Sequence, residues 1–262
     1  MQEKITIIKT GGAIIEDPAQ LEKLLSNFAK LEGRKILVHG GGRRATDIAQ
    51  QLGISTHLIN GRRVTDQPML EVAVMVYGGL INKTIVARLQ ALGVPSLGLT
   101  GADMNLIRSH QRSVVNGVNF GYVGDVEQTD AQILKKLIDW GITPVISPLT
   151  HDGKGQLLNT NADTMASEIA KALVPHYEVT LVYCFEKKGV LALPDNTDSI
   201  IQCINRHDFK VHIANGTISA GMIPKIESAL SAAEAGVHRV IITDAESSFQ
   251  SPDCIQTGTI II

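Results

Sequence analysis

Aromatic residues are scarce in this 262-residue chain: 4%, with one Trp, four Tyr and five Phe. A buried core must therefore be assembled from Val, Ile, Leu and Ala, which suits a parallel sheet covered by helices. Cysteine is scarce too, represented by Cys184, Cys203 and Cys254. An odd count without close pairing describes neither a disulfide framework nor a zinc site, and buried thiols in a reducing compartment are expected. No sign of charge dominates, with 24 Lys+Arg against 26 Asp+Glu. That balance argues against broad electrostatic binding to nucleic acid or to an anionic membrane. No uninterrupted apolar run reaches the ~18 residues expected of a membrane span. The apolar run in the opening MQEKITIIKTGG is too short for a signal peptide. A cytoplasmic location is the default expectation.

Several catalytic signatures are missing. There is no G-x-x-x-x-G-K-[ST] phosphate loop, no H-R-D or D-F-G set and no G-x-S-x-G nucleophile elbow. No paired Cys/His cluster has metal-ligand spacing, so no protein-held metal is expected.

What is present is 44% hydrophobic residues, patterned as alternating strands and helices. Residues 4–9 (KITIIK) read as a buried strand that stops at Gly11-Gly12. Asp17-Pro18 opens a helix with apolar residues at Leu21, Leu24, Leu25 and Phe28. Residues 35–39 form a second strand, followed by Gly40-Gly41-Gly42 and a helix closed near Gly53. A helical pattern runs from Gln67 to about Leu92, with Gly78-Gly79 as an interruption. Between 105 and 128, short apolar runs around Ile107, Val114-Val115 and Tyr122-Val123 alternate with Asn-Gly and Gly signals. They read as hairpins, a block suited to a flap over a site. Further strands are predicted at 96–99, 144–147, 178–184, 238–243 and 258–262, and helices at 130–140, 161–173 and about 222–235. The prediction is a three-layer α/β/α sandwich with a mostly parallel sheet and hairpin insertions. The whole of 1–262 forms one domain, with a seam near 176–178 dividing lobes 1–175 and 176–262.

Five motifs carry candidate chemistry. Lys9 ends a strand and precedes Gly11 and Gly12, whose backbone N–H groups can approach a phosphate closely. Alone, it also fits a solvated lysine before a tight turn. His39-Gly40-Gly41-Gly42 places three glycines between a strand and a helix N-terminus, an anion-binding arrangement; His39 itself reads as a packed strand-end residue. The same stretch fits the dinucleotide fingerprint G-x-G-x-x-A, and Arg62-Arg63 at the acidic position would suit an NADP phosphate, so an NADP-dependent oxidoreductase is a rival. In NGRRVT (60–65) an arginine fork can grip a carboxylate, or both arginines can be solvated. In NTNAD (159–163) Asp163 stands at a helix start, where a carboxylate is favoured as a cap. Lys225 lies in the first turns of a helix, where a cation opposes the dipole unless an anion sits nearby.

In order and spacing these motifs resemble the amino acid kinase family, in its acylglutamate branch. The resemblance rests on IIKTGG (7–12), VHGGG (38–42), NGRRVT (60–65), Asn82-Lys83, GYVGDV (121–126), LLNTNAD (157–163), GMIPKI (221–226) and GTIII (258–262). It implies ATP-dependent phosphorylation of the side-chain carboxylate of N-acetyl-L-glutamate, the second step of arginine biosynthesis. N-succinyl-L-glutamate, or another carboxylate or carbamate acceptor, remains an alternative. A non-catalytic protein keeping the fold is a further rival, opposed by the presence of Lys9, Asp163 and Lys225.

The resemblance also implies roles. Lys9 and Lys225 neutralise the phosphoryl group in flight, and Asp163 holds both lysines. Gly11, Gly12, Gly41 and Gly42 bind phosphates through backbone N–H. Arg63 and Asn159 grip the acylglutamate with Asn161 beside them. Mg2+ rides on the ATP phosphates. The N-terminal lobe takes the acylglutamate and the C-terminal lobe takes ATP. Because the first strand starts at about residue 4, a homodimer without arginine feedback is expected. The segment Phe185–Gly189 departs from the family's Asp-containing turn. Arg43-Arg44 makes an unusually basic helix start: either solvent screens both charges, or at least one faces the substrate pocket and meets an extra anion such as a succinyl carboxylate.

Overall fold

The computed structural model describes residues 2–59, 62–114, 117–193, 195–245 and 258–262. The first third contains β1 (Lys4–Thr10), α1 (Gly12–Glu16), α2 (Pro18–Lys30), β2 (Arg34–His39), α3 (Gly42–Gln51), and the hairpin β3 (His57–Ile59) and β4 (Arg62–Val64). Then come α4 (Gln67–Ala73), a π-helical stretch (Val74–Ile81), α5 (Asn82–Ala91), β5 (Ser96–Leu99), β6 (Ile107–Gln111), β7 (Gly124–Thr129), α6 (Ala131–Asp139) and β8 (Thr143–Ile146). The rest comprises β9 (Leu149–His151), β10 (Leu157–Asn159), α7 (Ala162–Leu173), β11 (Glu178–Phe185), β12 (Cys203–Ile204), α8 (Arg206–Ala214), α9 (Ile223–Glu234), β13 (Arg239–Asp244) and β14 (Thr259–Ile261).

Among the described residues, eight strands form one sheet in the order β12-β14-β13-β11-β1-β2-β8-β5. Its pairs are parallel except β13 with β14. Strand alternation sends side chains to opposite faces. Ile5 and Ile7 of β1 pack with Val38, Leu181, Ile169 and Leu230 on one side, whereas Ile8 packs with Leu37, Val182, Leu24 and Phe28 on the other. Two cores on the two faces make the predicted three-layer α/β/α sandwich. Lys9 falls on the same face as Ile5 and Ile7, the face covered by α7 and α9. Across the expected seam, β11 pairs with β1 along its length, from Lys4↔Glu178 to Thr10↔Cys184, so both segments share the sheet.

The start of α2 follows its sequence signal. Asp17 Oδ1 accepts from the Ala19 and Gln20 N–H groups at 2.9 and 3.1 Å, with Pro18 at the first turn. Such a cap contributes about 1 kcal/mol. The 105–128 block includes the antiparallel pair β6–β7, with an irregularity between Arg108 and Ser109. It joins β9 and β10 in a four-stranded sheet of order β10-β9-β6-β7.

Four local readings are corrected. The helix from Gln67 does not break at Gly78-Gly79; it widens into π geometry over Val74–Ile81 and runs on to Ala91. By length and composition this 25-residue helix could cross a membrane, with mean hydropathy 1.4 in its apolar window, but half of that window is buried inside the protein. The glycines after β1 do not form a simple turn, since Gly12 opens the short α1. Helix α8 had no clear apolar stripe to announce it: Phe209 is its one fully buried residue. Finally, Cys184 is buried but Cys203 is exposed, because β12 is an edge strand. Cys254, Asn60, Gly61 and Val115 lie outside the described residues.

Candidate active site

A cleft of about 600 Å³ opens where β1, β2 and β11 end, the usual ligand position of an open α/β sheet. Lys9, Gly11, Gly12, Gly41, Gly42, Arg63, Asn159, Asn161, Asp163 and Lys225 all line it. Residues up to 216 positions apart in the sequence are thus brought to one place, 9 against 225.

The cationic centre comes from three elements. β1 delivers Lys9, α7 delivers Asp163 and α9 delivers Lys225. Lys9 Nζ lies 2.6 Å from Asp163 Oδ1, an ion contact outside hydrogen-bonding angles. Both side chains are buried, 6% and 7% exposed. The Phe185 ring, at the end of β11, meets both cations: Lys9 Nζ at 5.0 Å from its centroid and Lys225 Nζ at 4.1 Å. Burial pushes the Lys225 ammonium below the ordinary lysine pKa. The Asp163 carboxylate pulls it back up, Lys9 adds a further push down, and Glu186 and Arg43 act weakly in opposite senses.

The glycine turns stand side by side. The Gly40 N–H donates to the Thr10 carbonyl at 3.0 Å. A Cβ at Gly41, where φ is +151°, would meet Ile81 Cδ1 at 2.3 Å and Tyr77 Cδ1 at 3.1 Å. Only glycine fits between this turn and the π-helical stretch. Arg63 Nη2 donates to the Gly42 carbonyl at 2.8 Å and to Thr46 Oγ1 at 2.7 Å, which fixes the guanidinium beside the turns. Asn159 is buried and donates to Thr65 Oγ1 at 3.0 Å.

The helix-start prediction for Asp163 needs correction. Asn161 caps α7, its Oδ1 accepting from the Asp163 and Thr164 N–H groups at 2.8 and 3.0 Å. Asp163 is thereby released from capping and faces Lys9. The two arginines at the start of α3 separate. Arg43 lines the cleft and pairs with Glu186 at 3.5 Å, whereas Arg44 is exposed outside it and gives its backbone N–H to Glu16. Burial raises the pKa of Glu16, and the Arg44 N–H and the Arg43 charge oppose that rise. The anion that Arg43 meets in this structure, Glu186, belongs to the protein.

Among the lining residues, Tyr77 and Arg112 escaped the sequence reading, and Phe185 was read only as part of the segment that departs from the family's turn. Phe185 could have been suspected as the end of the strand beside Lys9. Tyr77 sits on the π-helical stretch, and no periodicity marks such a widening. Burial raises its pKa, with Arg63 opposing. Arg112 is clamped by Asp125, with Nη2–Oδ1 at 2.5 Å and Nε–Oδ2 at 3.1 Å, and lies over the Phe120 ring. It belongs to the hairpin block, whose flap-like signal was the available hint. Among the described residues, no group of three or more His, Cys, Asp or Glu is gathered for a metal ion.

A strand-end lysine with a buried carboxylate, a second lysine on a helix and paired glycine turns define a phosphotransferase-like cleft. The chain belongs to the amino acid kinase family, whose profile matches residues 4–244. It is 58% identical over 247 residues to the acetylglutamate kinase of Bacteroides fragilis, covering 94% of each chain. It resembles the solved N-acetylglutamate synthase of Neisseria gonorrhoeae complexed with coenzyme A and N-acetyl-glutamate, with TM-score 0.83 and 25% identity. That match covers all of this chain and 60% of the other. Carbamate kinase from Giardia lamblia shares the fold, with TM-score 0.70 and 16% identity over 99% and 98% of the two chains.

Proposed function

We propose that this chain transfers the γ-phosphoryl group of ATP to the side-chain carboxylate of N-acetyl-L-glutamate, as the second step of arginine biosynthesis. The observation that carries the reading is the convergence of Lys9, Lys225 and Asp163 beside the two glycine turns. A carboxylate oxygen attacks the γ-phosphorus, a C–O–P linkage forms, and the bond to the bridging β-phosphate oxygen breaks to release ADP. The acceptor is already ionised at neutral pH, so no general base is required. Attacker and donor are both anionic, and the protein must align them and cancel charge.

In this reading Lys9 and Lys225 stabilise the transferring group, and Asp163 holds the lysines. The N–H groups of Gly11, Gly12, Gly41 and Gly42 contact phosphate oxygens. Arg63 and Asn159 grip the acylglutamate, with Asn161 shaping the wall through its cap. Mg2+ enters as part of the ATP substrate. Segment 1–175 supplies the acylglutamate side and 176–262 the nucleotide side. Family membership sets aside the NADP oxidoreductase, and the 58% identical relative gives no support to an N-succinyl acceptor. A cytoplasmic homodimer completes the proposal. Met75 and Leu80, 53% and 48% exposed on one helix, offer an apolar contact. Sedimentation at micromolar concentration should give about twice 28.2 kDa; the single-chain mass would exclude the dimer.

The deciding experiment is an ATP-dependent hydroxamate assay with N-acetyl-L-glutamate, N-succinyl-L-glutamate and carbamate. N-acetyl-L-glutamate should give the highest kcat/KM. In the same assay Arg63→Lys should raise the acylglutamate KM by roughly tenfold with ATP KM unchanged, because lysine keeps the charge but loses the two-point fork. Preference for another acceptor would replace the assignment, and a shift in ATP KM would move Arg63 to the nucleotide side.

A further inference from the structure

His39 is fully buried at the end of β2, immediately before the glycine turn, and the phosphotransfer chemistry leaves it without a task. Its hydrogen bonds define its state. Nδ1 lies 2.8 Å from the Gly40 carbonyl oxygen. A carbonyl can only accept, so Nδ1 carries the proton. Nε2 lies 3.1 Å from Asn82 Nδ2. Lys83 Nζ, which can only donate, lies 3.1 Å from Asn82 Oδ1 and 2.9 Å from the Gly98 carbonyl. Lys83 therefore fixes the Asn82 amide with its NH2 group toward His39, where it also donates to the Val145 carbonyl at 3.0 Å. Nε2 must accept, and the imidazole is neutral. Burial and the nearby Lys83 charge hold its pKa down at about 4. A Cβ at Gly98 would lie 2.0 Å from Asn82 Oδ1, so the network needs glycine there.

The consequence follows from peptide geometry. The Gly40 carbonyl and the Gly41 N–H belong to one rigid plane and point in opposite directions. The Gly40 N–H is held by Thr10 and its carbonyl by His39. Anchoring that carbonyl aims the Gly41 N–H the other way, and Gly41 lines the cleft. We infer that His39 is a positioning residue: it donates Nδ1–H to the Gly40 carbonyl, in a tautomer set by Asn82 and Lys83, and thereby aims the Gly41 N–H at the transferring phosphoryl group. This rests on the phosphotransfer reading of the cleft.

Two substitutions split the network. The amide nitrogen of His39→Asn can replace Nδ1 and keep the bond to Gly40. His39→Gln reaches the Nε2 position, keeping Asn82 but losing Gly40. With ATP and N-acetyl-L-glutamate, H39Q should lower kcat by about 30-fold or more, whereas H39N should lower it by no more than about 5-fold. Both KM values should stay within about 3-fold. Urea midpoints close to the wild-type value should show that both variants are folded. Equal losses in the two variants, no loss in H39Q, or an effect confined to KM would overturn the inference. Nitrogen-15 NMR of His39 in the wild-type protein at pH 7 should show protonated Nδ1 and bare Nε2. The opposite tautomer or an imidazolium would also overturn it. That measurement needs neither a variant nor activity, so a wrong substrate assignment is distinguishable from a wrong role for His39.

Discussion

Lys225→Ala should lower kcat by about 10²–10³-fold while leaving KM for ATP and acylglutamate within a few-fold. The phosphoryl group moves between two anions, and charge cancellation has most effect on the group in flight. Lys225 is suited to this because its ammonium is not consumed by a salt bridge as tight as that of Lys9; it rests on the Phe185 ring at 4.1 Å. The same placement gives a pH signature. Burial lowers its pKa from 10.5, so the unfolded chain binds this proton more tightly than the folded one. As pH rises toward the ordinary lysine value, this group's contribution to stability should therefore increase. Activity, which requires the ammonium, should fall over the same range. The urea midpoint of the wild type relative to that of Lys225→Ala should rise over this alkaline range while wild-type kcat falls. The difference isolates this lysine from Tyr77 and Tyr183, whose raised pKa values act on stability in the other direction. Near-normal kcat in the folded variant would remove Lys225 from the mechanism.

Legibility in the sequence followed locality. β1 and β2 are dense apolar runs stopped by glycine, so their placement and the position of the glycines after them could be read directly. The hairpin block could be read because its turn signals interrupt a βα rhythm. The Lys9–Asp163 contact could not be read from spacing: it depends on β1 and α7 meeting although the two residues stand 154 positions apart, and only the family resemblance linked them. Capping was an open alternative for Asp163 because both Asn161 and Asp163 suit that position; backbone register gives the cap to Asn161 and leaves Asp163 to face Lys9. The π-helical stretch was read as an interruption because two glycines weaken a helix locally, while burial of Val76, Tyr77 and Ile81 holds this one together. Arg43 looked unanswered because its partner, Glu186, arrives from another element. In each miss a tertiary partner decided what local pattern left open.

The buried pair itself should show strong non-additivity. Asp163→Asn removes the counter-charge from Lys9, which is only 6% exposed, and leaves it beside Lys225 with no carboxylate between them. Breaking a buried pair from one side costs about 3–5 kcal/mol. Lys9→Met should cost less, because Lys225 remains to balance Asp163. The double variant, Lys9→Met with Asp163→Asn, leaves only the partly exposed Lys225, and should be more stable than Asp163→Asn alone. A coupling of about 2 kcal/mol or more is expected from urea unfolding, provided the denaturant slopes agree. Asp163→Asn should also gain more thermal stability from ATP-Mg than the wild type does, since two uncompensated lysines favour a polyanion and ligand binding stabilises by mass action. Additive single-variant costs would mean that Asp163 does not hold Lys9 energetically. A smaller ATP-induced shift in Asp163→Asn would mean that the carboxylate, rather than restraining the two cations, helps to present them to the nucleotide.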